Sequence, residues 1–217
     1  MVRAEFNAQK PLKPDILKII SAIPDKKNVF LTLATEPAVR LKLAELQSQA
    51  DGYVINSPAF RTELGSWLLP NDSKSGVGIP GSGFGLKDEQ AIRLHRGLLG
   101  TEPLQPEDGL TFALGGKIMM EKTPSIGLLS VHADRPDFWL EAGRIAERIF
   151  LILEIAGVSV SIHAAIVEVA LINSVFRVLF PSKNRLVFVF RAGYVSDKKY
   201  LNRPPSPRLP IDEVMLN

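Results

Sequence analysis

The apolar positions of this chain fall into blocks whose period changes from one block to the next. From Pro136 to Ala156 they recur at helical spacing. Phe138, Ala142, Ile145, Ala146, Ile149, Leu153 and Ala156 form one stripe, and Glu141, Arg144, Glu147 and Arg148 lie away from it. The pattern predicts a long amphipathic helix, with Asp134 available as N-terminal cap and Gly157 as its stop. A stripe this continuous suits a core or a dimer seam. Pro37 to Ala50 repeats Val39, Leu41, Leu43 and Leu46 at the same spacing and predicts a second helix. Pro14 to Ile23 and Pro58 to Leu69 each begin with a proline in the first turn and end before Pro24 and Pro70. Lys87 to Leu99 and Ile166 to Phe180 also read as helices. Asn28 to Thr35, Pro124 to Ala133, Val158 to Ile162 and Arg185 to Arg191 are β-branched, apolar and bounded by breakers, as strands are. Gly109 to Met120 matches neither period. Helices and strands alternate with an excess of helix, which fits α+β or α/β; alternation alone does not separate them.

Two stretches break the pattern. Asn71 to Gly85 carries five glycines and a proline, which predicts a long flexible loop of the kind used as a lid. Within it Gly76-Val-Gly78-Ile-Pro-Gly81 matches G-x-G-x-x-G in letters. No strand precedes it and Pro80 interrupts it, so it reads as loop and not as a dinucleotide cradle. At the other end an apolar strand stops at Gly193. Pro204, Pro205, Pro207 and Pro210 then forbid helix and central strand alike. Arg208 sits among them. Proline pre-sets the backbone, so this cation is aimed at small entropic cost, toward a phosphate or a partner surface. An ordinary solvated tail is the alternative reading.

Composition narrows the choices. A chain of 217 residues, 46% apolar and 23% charged, suits one globular domain with a sizeable core. The net charge of +3 comes with no basic block interleaved with aromatics, so no nucleic-acid partner is expected. The absence of cysteine excludes disulfides, thiolate chemistry and cysteine-based zinc sites. The N-terminus has no apolar signal core. The longest uncharged stretch, Ile155 to Val167, is 13 residues and too short to span a bilayer. A cytoplasmic protein is expected. His95, His132 and His163 show no metal-ligand spacing, so no metal is expected. His132 and Asp134 lack a serine in a nucleophile elbow. Glu63 and Trp67 lie one helical turn apart beside the glycine-rich loop, either as a wall beneath a lid or as an amphipathic helix with a core tryptophan. The small residues of Gly157 to Ala165 permit close approach of a flat ligand or tight packing.

A family resemblance gathers these pieces. Leu128-Leu-Ser-Val-His-Ala-Asp-Arg-Pro-Asp-Phe-Trp-Leu-Glu-Ala-Gly-Arg-Ile-Ala-Glu-Arg148 resembles the nitroreductase superfamily, in which a strand leads to an Asp and a long helix. Ile155-Ala-Gly-Val-Ser-Val-Ser-Ile162 is similar to its helix exit. Phe190-Arg-Ala-Gly-Tyr194, Pro205-Ser-Pro-Arg208 and Pro210-Ile-Asp-Glu-Val214 are similar to its closing motif. Glu63-Leu-Gly-Ser-Trp67 and the Gly-Ile-Pro loop resemble the Acg-type branch. The likeness runs over roughly residues 10 to 217 and treats them as one domain, with a lid-like loop over 71–86 and an extended tail over 195–217.

The resemblance implies an α+β fold with a mixed sheet flanked by helices and a long central apolar helix. It implies FMN at a subunit or pseudo-subunit interface of a homodimer or pseudo-dimer. It also implies hydride transfer from NAD(P)H to nitroaromatic or quinone-like acceptors. By the same resemblance Ile162, His163, Ala164 and Ala165 face the flavin ring, and Arg208 meets the phosphate. Ser206 stands where a second tail cation is common. Glu63, Trp67, Gly78 and Gly81 belong to the substrate side and lid. No counterpart of the family's opening Arg-Arg-Ser-x-Arg run or of its Pro-Ser-x-x-Asn-x-Gln-Pro-Trp stretch is present; Lys10, Lys13 and Lys26-Lys27 match neither. Typical members of the branch extend further at the N-terminus, so the chain is expected to correspond to their C-terminal two-thirds. The departures leave open an alternative, a catalytically incomplete module that binds flavin or pairs with another subunit.

Overall fold

A computed structural model describes residues 4–25, 27–180, 184–197 and 209–215. The elements in chain order are α1 (Pro14–Ser21), β1 (Val29–Ala34), α2 (Pro37–Asn56), α3 (Pro58–Trp67), β2 (Leu68–Leu69), β3 (Ile79–Pro80), a 3-10 turn (Gly81–Phe84), α4 (Asp88–Leu99) and α5 (Pro106–Glu121). There follow β4 (Ser125–Val131), α6 (Pro136–Ile155), β5 (Ser159–Ile162), α7 (Ala165–Glu168), α8 (Ala170–Leu179), β6 (Arg185–Gly193) and α9 (Ile211–Val214). They divide into two compact units. One holds the chain up to Tyr53 together with Phe112 through β6; the other holds Val54–Thr111 and residues 209–215.

The first unit is built on a four-stranded sheet of order β1-β4-β6-β5. All three pairings are antiparallel, with Val29 opposite Val131, Ser125 opposite Ala192 and Ser161 opposite Arg191. The α+β class expected from the sequence is thus observed, and among the described residues parallel pairing is confined to β2–β3. Strand alternation sends Leu129, Val131, Val160, Phe190 and Ala192 to one face. There they pack with Ile16 and Ile20 of α1 and with Ala142, Ile145, Ala146, Ile149 and Leu153 of α6, the stripe read from the sequence. Gly127 lies under the Phe190 ring: a Cβ there would be 2.1 Å from Phe190 Cζ.

The ends of α6 differ from the expectation at one side and match it at the other. Asp134 does not cap the helix; Arg135 is the N-cap residue and makes no side-chain cap. The Asp134 carboxylate instead accepts from Arg185 at the start of β6. Gly157, with φ of +69°, is the stop.

The ambiguous stretch before β4 is helix α5. Its glycines weaken the helical period, and Gly116 explains why one is needed: a Cβ there would lie 2.2 Å from Asp51 Oδ2 on α2. The expected helix over Ile166 to Phe180 is two helices. Val169 adopts an extended conformation between α7 and α8, with ψ of 104°.

The second unit packs α3 on α4, with Gly65 against Leu98 and Leu99. The glycine-rich segment expected as loop contains β3 and the 3-10 turn. Asn71 ties it down by donating to the Leu86 carbonyl (3.0 Å) and to Asp88 (2.8 Å), and by accepting from the Ser82 N–H (2.5 Å). No described helix is long and apolar enough to cross a membrane.

Candidate functional site

The turn after the central helix owes its form to its place in the sheet. β5 is an edge strand, paired only with β6. The His163 N–H donates to the Val189 carbonyl at 2.9 Å and extends the ladder one residue past β5. In an antiparallel pair the hydrogen-bonding direction alternates, so the backbone groups of Ile162 point to the open edge. The Ala164 carbonyl turns back to accept from Val167 (2.8 Å) and Glu168 (3.1 Å), which opens α7. Ile162 is 37% exposed and Ala164 is exposed, while Ala165 is buried. Ile162, His163, Ala164 and Ala165 therefore form a continuous ledge at a sheet edge, whose exposed side chains are those of Ile162 and Ala164. An open backbone edge beside small side chains fits the rim of a flat heterocycle, whose carbonyl and N–H groups pair with backbone.

Behind the ledge lies a buried polar strip. Arg191, 1% exposed, is opposite Ser161, also buried. His163 is two residues further along the same face of β5. Its Nε2 is sealed from solvent without a hydrogen-bond partner. Burial, and secondarily the charge of Arg191, pushes the His163 imidazole down to about 3, so it is neutral at physiological pH. Burial also lowers Arg191, only to about 10 and against the pull of Glu5, so it remains a cation.

Glu63, Trp67, Gly78 and Gly81 belong to the second unit. Glu63 is exposed on α3, and Trp67 at its end is 49% exposed, so the tryptophan is not a core residue. Gly78 has φ of +119°, and a Cβ there would meet Leu69 and the Trp67 carbonyl. Gly81 is needed for packing: its Cβ would lie 2.3 Å from Ala91 Cβ on α4. Ser206 and Arg208 lie outside the described residues.

Three features were not singled out from the sequence. One is the buried guanidinium of Arg191, whose Nε and Nη1 lack a hydrogen-bond partner; the sequence placed this residue within the Phe190-Arg-Ala-Gly-Tyr194 motif without giving it a role of its own. Another is Asp51, buried between α2 and α5 and pushed up to about 7 by burial, against the lowering effect of its hydrogen bond from Gln47. The third is a cleft of about 380 Å³ lined by His132, Asp134, Glu168, Asn173, Arg177 and Arg185, where charges of both signs are exposed. Among the described residues no group of three or more histidine, aspartate or glutamate side chains could hold a metal.

No family model and no curated protein matches the sequence. Solved structures do match it in fold. The FMN-dependent nitroreductase NfnB from Mycobacterium smegmatis, in complex with NADPH, superposes with a TM-score of 0.60 over 100% of this chain and 92% of its own, at 16% identity. The FMN- and NADPH-dependent nitroreductase NfnB from sphigopyxis sp. strain HMH gives 0.56 over 99% and 92%, at 18% identity. An FMN-dependent nitroreductase from Clostridium difficile R20291 gives 0.55 over 100% and 93%, at 12% identity. The chain has the fold of these nitroreductases.

Proposed function

We propose that the protein is an FMN-dependent oxidoreductase of nitroreductase type, moving hydride from NAD(P)H to nitroaromatic or quinone-like acceptors. The observation that carries this reading is the fold shared with FMN-dependent nitroreductases, combined with the open ledge at Ile162–Ala165. Bound there, FMN would supply the redox chemistry, acceptance of a hydride (two electrons and one proton) from the nicotinamide and return of two electrons and one proton to the acceptor. The residues supply position. The backbone of Ile162 faces the ring edge, and Ala164 keeps the approach free of bulk. Neutral His163 closes the rear of the ledge. Arg208, with Ser206 beside it, would meet the phosphate from the proline-stiffened tail. Glu63 and Trp67, with Gly78 and Gly81 in the lid segment, would serve the acceptor side. The Glu63–Trp67 helix and its Gly-Ile-Pro loop favour the Acg-type branch. A homodimer or pseudo-dimer completes the reading.

The test is direct. Purified protein is mixed with excess FMN and desalted. Retained flavin absorbance is the expected result; a colourless protein overturns the proposal. Arg208→Ala should weaken FMN binding about 10- to 100-fold, the loss of one charge-assisted contact, as read by fluorescence titration.

A second reading has its own observation. Lys10, one of the basic residues weighed above for the phosphate, lies over the Tyr194 ring with Nζ 4.0 Å from its centroid, engaged with the protein itself. A flavin-binding or dimerisation module without turnover would fit a chain in which Lys10 is engaged this way. Flavin retained but not reduced by NADH or NADPH would favour it.

A further inference from the structure

Arg191 is the only fully buried cation among the described residues. Its Nε and Nη1 have no hydrogen-bond partner. The guanidinium lies over the Phe6 ring, with Cζ 4.2 Å from the centroid. The carboxylate whose charge acts on it, Glu5, is already bonded to Lys122 at 2.8 Å. The positive charge of Arg191 is thus poorly matched, in surroundings where screening by water is weak. Leaving a charge in this state is costly, and packing alone does not call for it.

The strand register decides where that charge is felt. Arg191 is the cross-strand neighbour of Ser161 and the diagonal neighbour of His163. The charge therefore sits one strand away from the Ile162–Ala165 ledge. We propose that Arg191 sets the reduction potential of the flavin held at this ledge, its unmatched charge favouring the reduced ring over the oxidised one. The inference rests on the flavin reading above. Two-electron reduction of FMN with uptake of one proton leaves one added negative charge on the ring. A nearby cation in a poorly screened site stabilises that form selectively. An arginine kept only to pack Phe6 would leave the potential unchanged.

The experiment is an equilibrium redox titration of FMN bound to the wild-type protein, to Arg191→Lys and to Arg191→Met. The methionine variant is expected to shift the preference at least tenfold toward oxidised FMN, which for a two-electron couple lowers the midpoint by about 30 mV. The lysine variant is expected to stay with the wild type. Equal midpoints in wild type and Arg191→Met overturn the role of Arg191 and leave the flavin reading standing. A wild-type protein that retains no FMN overturns both. Where the methionine variant does not fold, the wild type decides alone. Its bound FMN should have a midpoint above that of free FMN, and a lower one overturns the proposal.

Discussion

Burial lifts the Asp51 carboxyl to about 7, so it is about half protonated at neutral pH, and this has a consequence for stability. It is buried, Gln47 Nε2 donates to its Oδ1 at 2.7 Å, and Gln47 Oε1 is sealed without a partner. The charged groups nearest along the same helix pair are Glu45 and Lys117, bonded to each other at 2.6 Å. The native carboxyl titrates near 7 and the unfolded one near 3.8. Between those values the native state binds more protons, so stability falls as pH rises from 3.8 to 7, then levels off. Asp51→Asn keeps the acceptor for Gln47 and adds an N–H for its Oε1. It should be more stable than the wild type by up to about 4 kcal/mol above pH 7, with a gap that closes toward pH 4. Urea unfolding at pH 4.5, 6 and 8 checks this; a gap independent of pH would show that Asp51 is ionised in the fold. Such residues are not legible in a sequence. Asp51 falls just past the predicted helix end at Ala50, and only the glycine of a helix distant in sequence reveals that it is enclosed. The turn that follows β5 was legible because glycine and small residues after a long apolar helix mark a break, whereas the buried charge beside it depends on strand register.

The strongest period, on α6, was legible to within a residue, whereas α2 runs six residues past the predicted end at Ala50 and elements decided by tertiary contact were not legible. The stripe on α6 matched the buried set because a 20-residue helix averages over many contacts. α5 was unreadable because Gly109, Gly115 and Gly116 interrupt its apolar period, the last of them to make room for Asp51 on α2, and the split at Val169 left no trace in an apolar run. β4 and β6 show how one glycine fixes a strand pair. Gly127 gives up its side-chain volume to Phe190, which is fully buried and cannot move aside. Gly127→Ala should therefore cost about 1–3 kcal/mol through overpacking. Phe190→Leu alone should cost on the order of 1 kcal/mol for lost burial. The double variant should be more stable than the sum of the two, since the smaller side chain leaves room for the methyl. Denaturant midpoints of all four proteins test the coupling; strict additivity would mean that the two residues do not contend for the same space.

At the scale of the whole molecule, the first unit leaves apolar surface that its own core does not use. On α6 Leu140 (73% exposed), Leu151 and Ile155 (88%) share a face with Arg144, Glu147 and Arg148. On α8 Leu171, Val175, Val178 (77%) and Leu179 form an exposed stripe alongside the buried Ile172 and Phe176. Scattered exposed apolar residues are ordinary, but stripes at helical spacing on two helices of one unit are what a subunit contact requires. The charges on α6 include both signs, so two copies related by a two-fold axis can set Glu147 of one near an arginine of the other. The protein is accordingly expected to be a dimer at micromolar concentration by light scattering coupled to size exclusion. Val178→Lys with Leu171→Lys should shift it to monomer without loss of helical signal, because neither side chain belongs to the core. If FMN lies at the subunit boundary, the same variant should also lose flavin. A wild-type protein that stays monomeric up to hundreds of micromolar would exclude a homodimer, and any flavin site at Ile162–Ala165 would then have to be completed within one chain.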